Sequence, residues 1–334
     1  LPQICLSIEN HCDSIQLGAC HVQSSPVNAQ SLTADQTTEP AIIHLVGRDG
    51  HMPGQQNGSW KWLCFQAHHT KNQVFSFSIN DQFEPGTERL NDHHMLYKPL
   101  NNSAPWRAFD WHRHDQDAGT YTFGNHTPCE HSAIQVAYGV TYSPDECWAW
   151  LTSLHDQSLI RPTPASSNQY TIGHTAAGTD DLDRAWPPMP IPAFRMSSDI
   201  KLAHKKHIVL MTGVHPNESP ANYVLQGAVN ALTASPILER ATIDVYPMVN
   251  PSGRAAGLNR TTLKHTDRDS NRVWREDLYR DMADIRSVAE AIQTNLNGQA
   301  PDLFIDFHSW CDPRTVFMNT RFGKTSQRLN QTSA

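Results

Sequence analysis

A histidine and a glutamate three residues apart, His215 and Glu218, with a second histidine ninety residues further on, His308, could together bind one metal ion. Imidazole nitrogens and a carboxylate oxygen are donors that suit zinc. Three protein ligands leave a fourth position for water, whose pKa the ion lowers, which is the arrangement of a hydrolytic site. By itself His-x-x-Glu is a weak signal in a chain with 19 histidines, because short motifs recur by chance. Its context carries more. Pro301-Asp302-Leu303-Phe304-Ile305-Asp306-Phe307-His308 reads as a buried strand that ends in a polar cleft. Asn250-Pro251-Ser252-Gly253 follows the apolar run Val245 to Val249 and is a turn signal at another strand end. Arg260 is followed by Asp269-Ser270-Asn271-Arg272. An arginine fork grips a carboxylate through two parallel hydrogen bonds, and a neighbouring asparagine can add a third.

The elements that must position these residues are legible around them. Ile208-Val209-Leu210-Met211 reads as a buried strand running into Gly213-Val214-His215, and Ser219-Pro220 opens an apolar-periodic helix. Its expected core stripe is Tyr223, Val224, Gly227, Ala228, Ala231 and Leu232. A second stripe, Met282, Ile285, Val288, Ala289, Ile292 and Leu296, closes at Asn297-Gly298. Strands near 208, 245 and 305 alternating with helices predict an α/β fold, a central mixed sheet flanked by helices. His215 and Glu218 then sit between a strand end and a helix start, where such folds place their sites.

In this order, Gly213-Val214-His215-Pro216-Asn217-Glu218-Ser219, Asn250-Pro251-Ser252-Gly253, Gly257-Leu258-Asn259-Arg260, Asp269-Ser270-Asn271-Arg272 and Asp306-Phe307-His308-Ser309 resemble the zinc carboxypeptidase superfamily, and within it the cytosolic carboxypeptidases. The motif-bearing stretch runs from about 206 to 310. The resemblance implies that His215, Glu218 and His308 hold Zn2+ and that Asp269 orients His215. It implies that Asn271 and Arg272, with Ser309 beside them, take the C-terminal carboxylate of a peptide. Arg260 would steady the developing oxyanion. The spacing from Arg260 to Asp269 is longer than the family pattern, which leaves Arg254 as the alternative for that role. The family's general-base glutamate lies well downstream of the second histidine. Here 26 residues follow His308 and none is Glu; Asp312 is the sole carboxylate among them. The chain is therefore expected to be a fragment, with a shortened pseudoenzyme as the alternative.

Ahead of the motifs the pattern changes. Trp60 to Phe65, Gln73 to Ile79, Trp106 to Trp111, Thr120 to Gly124 and Ser132 to Tyr142 are short aromatic or β-branched runs. Asn57-Gly58, Glu84-Pro85-Gly86 and Asp117-Ala118-Gly119 punctuate them. An antiparallel β-sandwich is expected over 1–142, as the resemblance to the cytosolic branch also implies, followed by a catalytic domain over 143–334. Ser143-Pro144 marks a helix start at the boundary. The Pro-, Thr- and Ser-rich stretch from Arg161 to Pro192 is expected to be a connecting loop.

A formal charge of −7 argues against a nucleic-acid partner. No apolar run approaches the ~18 residues of a membrane span, and no signal peptide opens the chain, which points to the cytoplasm. Seven cysteines with no Cys-x-x-Cys pair read as free thiols, Cys311 being the one near a ligand. His68-His69, His93-His94 and His112-Arg113-His114 show no convincing ligand spacing and read as solvated. The expected function is zinc-dependent removal of C-terminal residues from peptide or protein tails, and the resemblance to the cytosolic branch implies acidic ones. The alternatives are a zinc amidohydrolase acting on N-acyl amino acids and a non-catalytic module that binds C-termini.

Overall fold

The computed structural model describes residues 8–9, 41–45, 63–68, 70–72, 74–80, 87–100, 104–155, 157–180, 184–200 and 204–309. The expected turns at Asn57-Gly58 and Glu84-Pro85-Gly86, and all of 310–334 with Cys311 and Asp312, lie outside them.

Two sheets form the N-terminal region. One orders its strands as Ile8–Glu9, Cys64–His68, Ala133–Ala137, Leu96–Pro99 and Arg107–Ala108, all antiparallel. The other orders Ala41–Leu45, Phe75–Asn80, Thr120–Gly124 and Trp111–Asp115. Alternating burial along Thr120–Gly124 and Ala133–Ala137 sends one side of each strand inward. The inward residues build an aromatic core. Phe65 of the first sheet meets Phe77 of the second edge to face at 4.9 Å, and Phe109 and Phe123 close around Phe77. The predicted turn at Asp117-Ala118-Gly119 is present, with Gly119 at φ 63° and the Ala118 amide donating to Asp115. The expectation of a purely antiparallel sandwich needs one correction: Ala41–Leu45 runs parallel to Phe75–Asn80.

The second region is built on one mixed sheet. Its strands are β1 (Ile160–Arg161), β2 (Phe194–Met196), β3 (Lys206–Thr212), β4 (Ala241–Tyr246) and β5 (Leu303–Phe307), in the order β1-β2-β4-β3-β5. The three motif-bearing strands are parallel, β4 and β5 flanking β3, while β1 and β2 add antiparallel. The segment 161–192 is not a plain loop. It pairs Thr171–His174 with Pro190–Pro192 and Gly178–Thr179 with Ala185–Trp186.

Four helices matter for the site. Helix α1 (Pro144–Ser153) starts in a capping box: Ser143 accepts from the Glu146 amide, and Glu146 accepts from the Ser143 amide. Helix α2 (Pro220–Thr233) follows the Glu218 segment, α3 (Pro251–Ala255) follows β4, and α4 (Ala283–Asn295) precedes β5. The stripe expected on α4 is the buried one, and Asn297 and Gly298 end it in the left-handed region. Of the stripe expected on α2, Leu232 packs against the core, but most of the stripe lies on the outer face. Tyr223 and Val224 are exposed, and Ala221, Asn222, Leu225 and Val229 are buried instead. Asn222 took part in the burial because its amide donates to the Pro247 carbonyl, an option that an apolar-only pattern does not register. No helix among the described residues is long and apolar enough to cross a membrane.

Candidate metal centre

The site lies at the C-terminal ends of β3 and β5. Thr212 Oγ1 donates to the Phe307 carbonyl at 3.0 Å and ties the two strand ends together. Gly213 then turns the chain at φ 74°, under the Met248 backbone, where an added Cβ would stand 3.2 Å from the Met248 Cα. That turn delivers His215, Glu218 follows three residues on, and α2 begins at Pro220.

His215, Glu218 and His308 converge: one ligand atom from each lies within 4.8 Å of the others. Each imidazole uses its two nitrogens in the same way. His215 places Nδ1 2.8 Å from Glu218 Oε1 and Nε2 3.0 Å from Asp269 Oδ1. His308 places Nδ1 2.7 Å from Glu218 Oε2 and Nε2 2.7 Å from Asp306 Oδ2. A carboxylate on Nε2 fixes the tautomer that bares Nδ1 to a metal and makes it more basic. The donor set therefore fits a zinc ion: two Nδ1 atoms and one carboxylate, with the outer nitrogens already anchored. Asp269 was assigned its orienting place through the family resemblance. Asp306, which does the same for His308, was passed over, although its position two residues before a ligand at a strand end was a usable signal.

The charges are strongly coupled. Burial pushes the Glu218 carboxyl up, but the hydrogen bonds from His215 and His308 outweigh it and hold it down at about 2. Burial lowers His308, yet its bonds to Asp306 and Glu218 raise it to about 10. Asp269 is likewise opposed by burial and is held well below the usual carboxylate range by His215 and Arg260.

The remaining predicted residues surround this cluster. Arg260 donates through Nε to Asp269 Oδ2 at 2.9 Å, and its Nη1 is 3.5 Å from Glu218 Oε1. Ser270 to Arg272 form one 3-10 turn, started by Asp269 Oδ1 accepting from the Asn271 amide. Asn271 Oδ1 accepts from Trp274 Nε1 at 3.1 Å, which points its Nδ2 at His308 Nε2, 3.2 Å away. Asp306 Oδ2 accepts the hydrogen bond of that nitrogen, so the Asn271 amide hydrogens remain for another acceptor. Arg272 is exposed and its Nη1 donates to the Asn271 carbonyl at 3.3 Å. Ser309 meets the site through its backbone, its N–H donating to Glu218 Oε2 at 3.0 Å.

Two expectations change. Arg254 is fully buried in α3 and touches Ser219 and Asn222, so it cannot face a substrate and is not the alternative to Arg260. Asn250-Pro251-Ser252-Gly253 is not a simple turn but the start of α3. Asn250 Oδ1 accepts from the Gly253 amide, and a Cβ at Gly253 would stand 2.5 Å from that oxygen. The histidine pairs of the N-terminal region gather no metal-binding group of three among the described residues. His93 is instead half-buried, stacked on Tyr138 at 3.9 Å and pushed down to about 4 by desolvation.

Comparison with known proteins finds a family profile, curated relatives and solved structures of similar fold. Residues 204–328 match the sequence profile of the succinylglutamate desuccinylase/aspartoacylase catalytic domain. Human cytosolic carboxypeptidase 2 is 30% identical over 281 residues, covering 78% of this chain and 30% of that protein. Cytosolic carboxypeptidase 6 of Caenorhabditis elegans is 25% identical over 192 residues, 55% of this chain and 39% of that protein. The chain thus spans well under half the length of these curated relatives. Among solved structures, a metallo-carboxypeptidase from Burkholderia cenocepacia superposes with a TM-score of 0.67 at 19% identity, over 92% of this chain and 72% of the other. One from Pseudomonas aeruginosa, in complex with (2-guanidinoethylmercapto)succinic acid, gives 0.64 at 17%, over 92% and 70%. At these identities the structural likeness is one of fold. Motif order, relatives and fold agree in their direction: the chain is similar in sequence to the cytosolic carboxypeptidases and has the fold of metallo-carboxypeptidases.

Proposed function

We propose that this chain carries the metal centre of a zinc-dependent metallocarboxypeptidase that removes C-terminal residues from peptides or proteins. The observation that carries the reading is the convergence of His215, Glu218 and His308 with Asp269 and Asp306 behind the two imidazoles. Zinc, when bound, would supply a Lewis acid and a water of lowered pKa.

The chain's own residues have the following roles in this reading. Glu218 and the two Nδ1 atoms hold the ion, and Asp269 and Asp306 keep both rings turned toward it. Arg260, partly buried and braced by Asp269, offers positive charge where the oxyanion of the scissile carbonyl develops. Asn271 offers amide hydrogens, and the exposed Arg272 a guanidinium, to the terminal carboxylate of the substrate, which restricts cleavage to chain ends. Ser309 lines the same place. The relatives' branch supports acidic C-terminal tails as substrates and the cytoplasm as the compartment; nucleic acid and membrane are not proposed as partners. Residues 1–142 and 143–334 are proposed to be separate domains.

A second reading has one specific observation in its favour: the profile matched by residues 204–328 is of enzymes named for acyl amino acids. A zinc amidohydrolase would use the same ligands. The curated relatives that cover more of the chain are carboxypeptidases, which favours the first reading. The test is to supply zinc to the metal-free protein and follow two substrates, a peptide ending in glutamate and N-succinylglutamate. Release of free glutamate from the peptide alone supports the carboxypeptidase; cleavage of N-succinylglutamate alone overturns it. Tight zinc binding with saturable peptide binding and no turnover, in a verified full-length product, favours the non-catalytic module.

A further inference from the structure

Arg254 has no task in the chemistry above, yet it is the largest fully buried side chain among the described residues. Its guanidinium donates through Nη1 to Ser219 Oγ and through Nη2 to Asn222 Oδ1, the latter at 3.0 Å. Its Nε has no acceptor, and no carboxylate pairs with it among the described residues. Around it stand Cys147, Tyr142 and Tyr223, and Glu218 is the carboxylate whose field it feels.

A buried cation without a paired anion is unfavourable, and an apolar side chain of similar length would fill the same space without that desolvation. Packing alone therefore does not account for a guanidinium. What it adds is two directional bonds to oxygens three residues apart on one face of the first turn of α2. Ser219 shows the consequence. A serine at a helix start ordinarily turns its oxygen to the amides of the first turn. Here Ser219 makes no such cap bond, and its oxygen is taken by Arg254. Ser219 is joined to Glu218 by a single planar peptide, so holding Ser219 holds the backbone that carries Glu218. Asn222 extends the brace, its own amide donating to the Pro247 carbonyl at 2.7 Å.

We propose that Arg254 is the positioning residue of the metal centre: from α3 it clamps Ser219 and Asn222 and thereby fixes the Glu218 carboxylate between His215 and His308. The inference rests on the reading of His215, Glu218 and His308 as metal ligands for its functional consequence, and on the geometry of Glu218 alone for its structural one. The experiment uses the full 334-residue chain and three variants: Arg254→Met, Arg254→Lys and Ser219→Ala. The last removes one acceptor and leaves the buried cation in place, so it serves where Arg254→Met does not fold.

Two readouts are taken. Zinc affinity is measured by competition with a chromophoric chelator. In the metal-free chain, the imidazole 15N shifts of His215 and His308 report their bonds to Glu218. Both variants at Arg254 and Ser219→Ala are expected to weaken zinc binding about tenfold or more, the scale seen when a group supporting a ligand is lost. They are also expected to move the 15N shifts of both histidines, with Lys, which reaches only one of the two oxygens, failing to restore them. Wild-type zinc affinity and unmoved shifts in folded variants, with only a lower melting temperature, would make Arg254 a structural strut and overturn the inference. If the wild-type chain binds no zinc but the shifts still move in Ser219→Ala, the metal reading fails and the positioning of Glu218 by Arg254 stands.

Discussion

Asp269→Asn isolates what the carboxylate behind His215 does, because it changes one oxygen to an amide without changing shape. Asp269 Oδ1 accepts from His215 Nε2 at 3.0 Å and from the Asn271 amide at 2.8 Å, while Oδ2 accepts from Arg260 Nε at 2.9 Å. An asparagine can satisfy only one side. With its oxygen toward His215 and Asn271, its NH2 opposes the Arg260 Nε–H; reversed, it opposes two donors. The first orientation is expected. His215 then keeps a neutral acceptor in place of an anionic one, and Arg260 loses its partner. Hydrogen bonds to charged groups contribute about 1.5–3 kcal/mol, which is about a 10- to 100-fold change in an equilibrium constant. Zinc affinity, followed by chelator competition at neutral pH, is expected to fall by about that factor, with an unchanged circular-dichroism spectrum. An affinity within twofold of wild type in Asp269→Asn would refute the reasoning, since it would mean that the ring is oriented by something other than the carboxylate.

The other predictions concern pH, the sheet and the N-terminal region. In the metal-free protein His308 is raised from 6.5 to about 10, so its contribution to stability is fully present below pH 6.5 and is lost as pH rises through 10. Glu218 is lowered from 4.5 to about 2, so its contribution is present above pH 4.5 and is lost as pH falls through 2. Melting temperature against pH should fall on both flanks, and Glu218→Gln should flatten them; an unaltered profile in that variant would contradict the coupling. Zinc would have to displace the proton of His308, raised to about 10, so apparent affinity should rise with pH across the neutral range, which pH-dependent chelator competition reads directly. Arg195 bonds both oxygens of the fully buried Asp244, at 2.6 and 2.8 Å. Arg195→Ala should cost about 3–5 kcal/mol in denaturant unfolding, as expected when a buried carboxylate loses its charged partner and keeps only His207, at 3.1 Å. Phe77, fully buried among Phe65, Phe75, Phe109 and Phe123, should cost about 3–5 kcal/mol on change to Ala. With two separate domains, limited proteolysis of that variant should attack the region before residue 143 first, and zinc affinity should not change.

The sequence by itself determined the candidate ligands and the strands that carry two of them. His215 follows the apolar run that forms β3, which is buried along its second half, and His308 follows the run that forms β5, although Leu303 and Phe304 of that strand are exposed rather than buried. The cap at Ser143 and the end of α4 at Asn297-Gly298 were likewise local, set by side chains and backbone angles within a few residues. Local signals failed where the deciding partner was distant in sequence. The buried face of α2 includes Asn222 because the Pro247 carbonyl and the Arg254 guanidinium receive it, and neither is visible to a periodicity argument. The parallel placing of Ala41–Leu45 beside Phe75–Asn80 is a pairing between separate segments, and alternation within each strand says nothing of direction. The site follows the same division. Residue types named the donors, but only the folded chain brought Asp306 behind His308, set Asp269 between His215 and Arg260, and enclosed Arg254 beneath Ser219. Orientation of an imidazole and burial of a charge depend on groups brought together from different strands and helices, and the tertiary structure alone decides which groups those are.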